Sequence, residues 1–399
     1  MSCYMYFGSK LKVSIAKSLF GLVEKPSPFV YVGENRVNEV GNILRSASSK
    51  KTLVITDKII LELGLLNSML DEIKSNGIEV VIFDDVTPDP TYDVVNNALA
   101  SCSGCDCVIA VGGGSVIDTA KVVASAYANN VGPQALKGFF KVKKQPLKFI
   151  CVPTTAGTGS ETTIAAVISN PDDHSKTLVV DPKLVPDFAI LDPALTVGLP
   201  KAITVATCMD ALTHALESYL STYATDKTDR LNEMAIKMIF DNLAIVYENP
   251  TDIKARENLL VASFYAGVAF SRTFVGYVHA FSHNIGGKFG VPHGLANSVL
   301  LPHIMEYYKD TCELKFSRLY DLVELDCACV SDSEKAEKFI QQLYKMNKDM
   351  GVPDNLDKFE KSSIDEIISL SFKEAHGTYP VPKYMSSDDA RVILTKVAV

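Results

Sequence analysis

The first two hundred residues alternate between two periodicities, and this alternation restricts the fold more than any other feature of the chain. Short β-rich runs, Phe29-Val-Tyr-Val32, Thr52-Leu-Val-Ile-Thr56, Glu79-Val-Val-Ile-Phe83, Cys107-Val-Ile-Ala-Val111 and Phe149-Ile-Cys-Val152, are separated by amphipathic stretches such as Val37 to Ala47 and Asn67 to Asn76. Parallel strands need a long crossover and a helix supplies it, so the pattern specifies a parallel sheet wrapped by helices. Beyond Pro200 the strand-like runs nearly vanish. Residues 201–272 and 311–372 keep the 3.6-residue period, and an all-helical second half is expected. The turn-rich segment Asp192 to Pro200 marks the change, giving an N-terminal extension at 1–27, an α/β domain at 28–198 and a helical domain at 199–399.

Composition narrows the function classes. With 47% hydrophobic and 22% charged residues the chain can bury a core, and its net charge of -8 offers no positive field for a phosphate backbone, which argues against nucleic acid. No apolar run reaches the roughly twenty residues of a spanning helix. Lys10, Lys12 and Lys17 interrupt any secretory h-region, and Leu11, Val13, Ile15, Ala16, Leu19, Phe20 and Val23 between them form a weak amphipathic pattern that reads as a docked helix. Nine cysteines, an odd number in a long chain, fit a reducing cytoplasm. The spacing of Cys102, Cys105 and Cys107 lacks a second ligand pair and reads as loop and strand rather than zinc or redox chemistry.

Two of the strands run into loops suited to a nucleotide. Cys107–Val111 leads into Gly112-Gly113-Gly114-Ser115 and then the helical pattern Val116-Ile-Asp118-Thr-Ala-Lys121. Glycine lets the backbone approach a ligand, and free N–H groups at a helix N-terminus attract an anion. Ser115 and Asp118 have capping-box spacing, and Asp118 is expected with this loop among the cofactor-binding residues. A plain βα turn would use the same glycines, and the G-x-G-x-x-G fingerprint is not present. Phe149–Val152 ends in Pro153-Thr154-Thr155-Ala-Gly-Thr158-Gly-Ser-Glu161, whose hydroxyls suit phosphate and ribose. Asp57, at the end of Thr52–Thr56, either hydrogen-bonds an adenosine ribose or caps a helix.

The histidines are unevenly placed. Of seven, His214, His279, His283, His293 and His303 fall within ninety residues. Asp210 and His214 are one helical turn apart and share a face; His279 and His283 repeat the spacing, and His293 follows in a turn bracketed by Pro292 and Gly294. Carboxylate and imidazole grouped in this way suit a divalent transition metal. His303, after Leu300-Leu-Pro302, reads as packing.

In these motifs, Gly112-Gly-Gly-Ser-Val-Ile-Asp118-Thr-Ala-Lys121, Pro153-Thr-Thr-Ala-Gly-Thr-Gly-Ser-Glu161, Asp210-Ala-Leu-Thr-His214 and His279 with His293-Gly294, the chain resembles the iron-containing (group III) alcohol dehydrogenases over residues 28 to 383. The resemblance implies a Rossmann-like dinucleotide-binding domain and an all-α metal domain in a dehydroquinate synthase-like architecture. It implies Asp210, His214, His279 and His293 as ligands of a divalent metal, Fe2+ before Zn2+, and His283 beside the reacting centre. Implied cofactor contacts are Asp57, Gly113, Gly114, Ser115, Thr154, Thr155, Thr158 and Lys176, with the acid at Asp57 associated with NAD rather than NADP. The implied reaction is reversible hydride transfer between a small primary alcohol or diol and its aldehyde, in a homodimer or larger homo-oligomer. A glycerol dehydrogenase, a hydroxyacid-oxoacid transhydrogenase and a non-catalytic metal or nucleotide sensor are the competing readings. Asp89 stands where many relatives carry asparagine, and Val381 where many read the asparagine of N-P-R, so the local pocket is expected to differ at both.

Overall fold

A computed structural model describes residues 8–14, 17, 26–170, 176–325 and 331–399. The chain divides into two compact units, one comprising Glu24–Leu199 with Pro250–Gly267, the other Met1–Val23, Pro200–Asn249 and Val268–Val399.

Among the described residues the first unit has nine strands: β1 (Phe29–Val32), β2 (Lys51–Ile55), β3 (Glu79–Phe83), β4 (Cys107–Gly112), β5 (Gly138–Phe139), β6 (Lys148–Pro153), β7 (Ala165–Ser169), β8 (Lys176–Val180) and β9 (Phe188–Leu191). Six of them form one sheet in the order β1-β9-β6-β4-β2-β3, and every pairing in it is parallel. All six residues of β4 are buried, as a strand covered on both faces requires. Its alternate side chains supply two cores: Val108 and Ala110 pack with Val116, Ala120 and Phe149 on one face, and Ile109 and Val111 with Leu44, Leu66 and Ile73 on the other. Each fully buried aliphatic chain here contributes about 1.5–3 kcal/mol relative to exposure. β4 and β6 run side by side to the pair Gly112 and Pro153, so the two candidate nucleotide loops leave adjacent strands at the same end of the sheet. The remaining three strands make a small separate sheet, β5-β8-β7, with β7 and β8 antiparallel.

The second unit is helical. Its helices include Lys201–Leu220, Asp226–Glu248, Tyr277–Phe289, His293–Tyr308, Glu313–Leu322, Asp332–Asp349, Ile364–Ala375 and Ser387–Val397. Capping boxes start three of them, Thr225 with Thr228, Ser331 with Glu334 and Ser386 with Asp389, each satisfying end N–H groups that would otherwise lack partners. Of the N-terminal amphipathic pattern, residues 8–14 are helical and Val13 is buried, its carbonyl accepting the Tyr223 hydroxyl. Ile15, Ala16, Leu19, Phe20 and Val23 lie outside the described residues. Among the described residues no single helix is long and apolar enough to cross a membrane.

Candidate active site

Three elements of the helical unit bring the metal candidates together. The helix Lys201–Leu220 carries Asp210 and His214, Tyr277–Phe289 carries His279 and His283, and His293 opens the helix His293–Tyr308. The first and third helices touch backbone to backbone: a Cβ on Gly294 would lie 2.4 Å from the Ala206 carbonyl oxygen, so only glycine lets His293 approach Asp210 this closely. Ligand atoms of Asp210, His279 and His293 all lie within 4.8 Å of one another. Asp210 Oδ1 is 3.6 Å from His279 Nε2 and 3.5 Å from His293 Nε2. His214 stands beside this trio, its Nδ1 3.9 Å from Asp210 Oδ1 and its ring stacked between His279 at 4.4 Å and Phe270 at 4.1 Å.

The donor set fits a cation. The Asn297 amide nitrogen lies 2.7 Å from Asp210 Oδ1, 3.1 Å from His293 Nε2 and 3.4 Å from His279 Nε2, so three lone pairs converge on one point. Its Oδ1 is buried with no hydrogen-bond partner among the described residues. Burial alone would raise the Asp210 carboxyl, but the imidazoles of His214 and His293 and hydrogen bonds to His279 outweigh it and hold the group well below the usual carboxylate range. Burial opposes a charge on His279, yet Asp210 and Glu217 on its two nitrogens raise it to about 9. The same carboxylates that favour a proton on His279 would favour a metal cation, which binds the neutral imidazole and would displace the proton from Nε2.

His283 is half-exposed and stacks on His293 at 5.2 Å between ring centres. Its Nδ1 is 2.8 Å from Glu374 Oε1.

In the sheet unit the two loops are fitted to each other. The helix Gly114–Asn129 begins directly after β4, with Gly113 as its N-cap and no side chain capping it. A Cβ on Gly114 would meet Thr158 Cγ2 at 2.8 Å, and one on Gly113 would meet Thr155 Oγ1 at 3.5 Å, so the glycine loop lies against the threonine loop. Gly113, Gly114, Ser115, Thr155 and Thr158 are half-exposed, and Thr154 is buried with its N–H bonded to the Gly112 carbonyl. The Ser115–Asp118 capping box does not form, which corrects the sequence reading. Asp118 lies one turn into the helix and accepts the Ser160 hydroxyl at 2.6 Å and the Val167 N–H at 2.8 Å, bracing the second loop. Lys121, fully buried, donates to the Thr163 carbonyl and hydroxyl and to the Ala165 carbonyl at 2.7–2.9 Å; burial lowers its pKa. Asp57 caps the short helix Lys58–Glu62 through the Ile60 N–H at 3.0 Å, using one carboxylate oxygen. Lys176 opens β8 and pairs with Asp89, which holds left-handed backbone at φ 54°.

Comparison with known proteins identifies the lineage. "Iron-containing alcohol dehydrogenase" matches residues 27–193 and "Fe-containing alcohol dehydrogenase family, C-terminal" matches 204–398. The chain is 36% identical to the NAD-dependent methanol dehydrogenase of Bacillus methanolicus over 328 residues, 82% of this chain and 86% of that protein. The chain belongs to the iron-containing alcohol dehydrogenase family. It is also 36% identical to the 1,3-propanediol dehydrogenase of Klebsiella pneumoniae over 330 residues, 82% of this chain and 85% of the other. A crystal structure of 1,3-propanediol oxidoreductase superimposes with a TM-score of 0.90 at 32% identity, covering 94% of this chain and 99% of that one. The α/β unit and the helical unit are thus those of a family of alcohol dehydrogenases.

For a member of this family, the residues the sequence did not single out are those that hold the histidines. Glu217 bonds His279 Nδ1 at 2.7 Å. Glu374 bonds His283, and itself accepts Tyr379 Oη at 2.6 Å and Asn284 Nδ2 at 2.9 Å. Burial works against the charge on Glu374, but His283, Tyr379 and Asn284 outweigh it and depress its pKa. Glu217 was within reach, since Asp210, His214 and Glu217 follow the i, i+4, i+7 spacing of one helix face. Val381 is buried, and Cys102, Cys105 and Cys107 are buried free thiols outside the metal group.

Proposed function

We propose that the chain is a metal-dependent, NAD(H)-linked alcohol dehydrogenase and aldehyde reductase acting on small primary alcohols or diols. The observation that carries this reading is the convergence of Asp210, His279 and His293 on one point beside the half-exposed His283. Asp210, His214, His279 and His293 would hold Fe2+, with Zn2+ as the alternative. A divalent metal bound there supplies Lewis-acid stabilisation of negative charge on the substrate oxygen, and NAD(H) supplies the hydride acceptor or donor. Oxidation of an alcohol releases one hydride and one proton. His283, with Nδ1 bonded to Glu374, keeps Nε2 for orienting the hydroxyl and relaying that proton. Gly113, Gly114, Ser115, Thr154, Thr155 and Thr158 would cradle the cofactor phosphates, while the second oxygen of Asp57 reads the ribose and disfavours a 2′-phosphate. Lys176, held by Asp89, would reach the cofactor from β8. The NAD-dependent relative supports the cofactor choice. We further propose a cytoplasmic homo-oligomer, supported by the free thiols and the family resemblance.

The test is metal analysis of anaerobically purified protein followed by NADH oxidation over C2 to C4 aldehydes, and NAD reduction over the matching alcohols and diols. Stoichiometric Fe2+ or Zn2+ with turnover in both directions is expected. Tight metal and NADH binding without turnover across the panel would instead establish a sensor.

A further inference from the structure

The Glu217 side chain is 1% exposed, and three donors converge on its carboxylate. Its Oε2 accepts the Gly276 N–H at 2.8 Å and His279 Nδ1–H at 2.7 Å, and its Oε1 accepts the Val278 N–H at 2.7 Å. Two of these donors belong to the first turn of the helix Tyr277–Phe289 or the residue just before it, where N–H groups have no partner within the helix and the helix dipole favours negative charge. The carboxylate therefore ties the start of one helix to the last turn of Lys201–Leu220. His279 stands on that same first turn, two residues beyond Tyr277.

We infer that Glu217 is a positioning residue for the metal site: by holding the proton on His279 Nδ1 it keeps the Nε2 lone pair free and directed at the point it shares with Asp210 Oδ1 and His293 Nε2. This rests on the metal reading proposed above. The chemistry demands a carboxylate, because glutamine has one acceptor oxygen for three donors. If the glutamine amide faced Val278, donor would meet donor at that N–H. If it faced His279, the imidazole would have to accept at Nδ1 and carry its proton on Nε2, which removes the lone pair a metal needs. Either arrangement weakens metal binding without touching the metal itself. A carboxylate hydrogen-bonded to a metal-bound histidine has this effect generally, and its loss typically costs 10–100-fold in affinity.

The experiment titrates metal-free wild type, Glu217→Gln and His279→Ala with Zn2+ and with Co2+ against a chromophoric chelator, with circular dichroism confirming the fold of each. Glu217→Gln is expected to bind about 10–100-fold more weakly, and His279→Ala more weakly still. Wild-type affinity in folded Glu217→Gln, together with loss in His279→Ala, would overturn the positioning role and leave the metal reading intact. Wild-type affinity in His279→Ala would overturn the metal reading itself. Should Glu217→Gln fail to fold, 15N-histidine spectra of the Zn2+-loaded wild type decide: a proton bonded to His279 Nδ1 is expected, and a proton on Nε2 with a bare Nδ1 would overturn the inference.

Discussion

The sheet unit and the helical unit place opposite kinds of polar group at their candidate sites. In the sheet unit the nearby charges are engaged internally, Asp118 by Ser160 and Val167 and Lys121 by Thr163 and Ala165, and what remains at the end of β4 and β6 is backbone, glycine and hydroxyl. That arrangement suits an anion that needs N–H and O–H donors. In the helical unit lone pairs face inward, and further carboxylates stand behind the imidazoles, Glu217 behind His279 and Glu374 behind His283. That arrangement suits a cation. Donors and acceptors are thus sorted between the units, and damage to one should leave the other's ligand bound.

The strongest way to break this comparison is Gly114→Val. Its side chain would collide with Thr158 and part the two loops. NADH binding should weaken about 10–100-fold, the equivalent of 1–3 kcal/mol of overpacking, with metal content unchanged. Unaltered NADH affinity would show that the loops do not hold the cofactor. Next in size, Asp57→Gly should reduce the kcat/KM preference for NAD over NADP about tenfold, the order of one hydrogen bond to a charged group. An unchanged preference would leave Asp57 as a helix cap alone.

The smallest effect sharpens the contrast through acid and base. Burial raises Glu161 in the sheet unit to about 7 and lowers His376 in the helical unit to about 4. Glu161 holds a proton in the folded chain that the unfolded chain releases near pH 4.3, so its contribution is present below that value and lost as pH rises through 7. His376 works in the other direction. The unfolded chain takes up a proton near pH 6.5 that the folded chain resists, so stability falls as pH drops from 6.5 to 4. Glu161→Gln should raise Tm by a few degrees at pH 8 and not at pH 4, and His376→Gln should flatten the acid side only. Parallel shifts at both ends would contradict the assignment.

How legible each region was follows from the range of its interactions. The glycine and hydroxyl loops could be read because a strand, a turn and a helix are contiguous in the chain, and the Asp210–His214 and His279–His283 pairs because one helical turn is a fixed spacing. β9 carries no sequence signal, because its four residues show no alternation and gain their place only by pairing with β1 and β6. Local spacing suggests a cap and a cofactor contact for Asp118, whereas Ser160, 42 residues away, and Val167 take its carboxylate in the fold. Glu374 meets His283 across 91 residues with no linear spacing to connect them, whereas Glu217 shares a helix face with Asp210 and His214 and only its bond to His279, 62 residues on, needs the fold.

The central claim is that the helical unit's metal is needed for chemistry while the sheet unit's loops bind cofactor without it. Stripping the metal by anaerobic chelation and measuring NADH affinity and aldehyde reduction on the same sample tests it most directly. Unchanged NADH affinity is predicted, with turnover reduced at least about 100-fold, several kcal/mol of lost charge stabilisation, and restored by Fe2+. Turnover that survives complete metal removal would contradict the account.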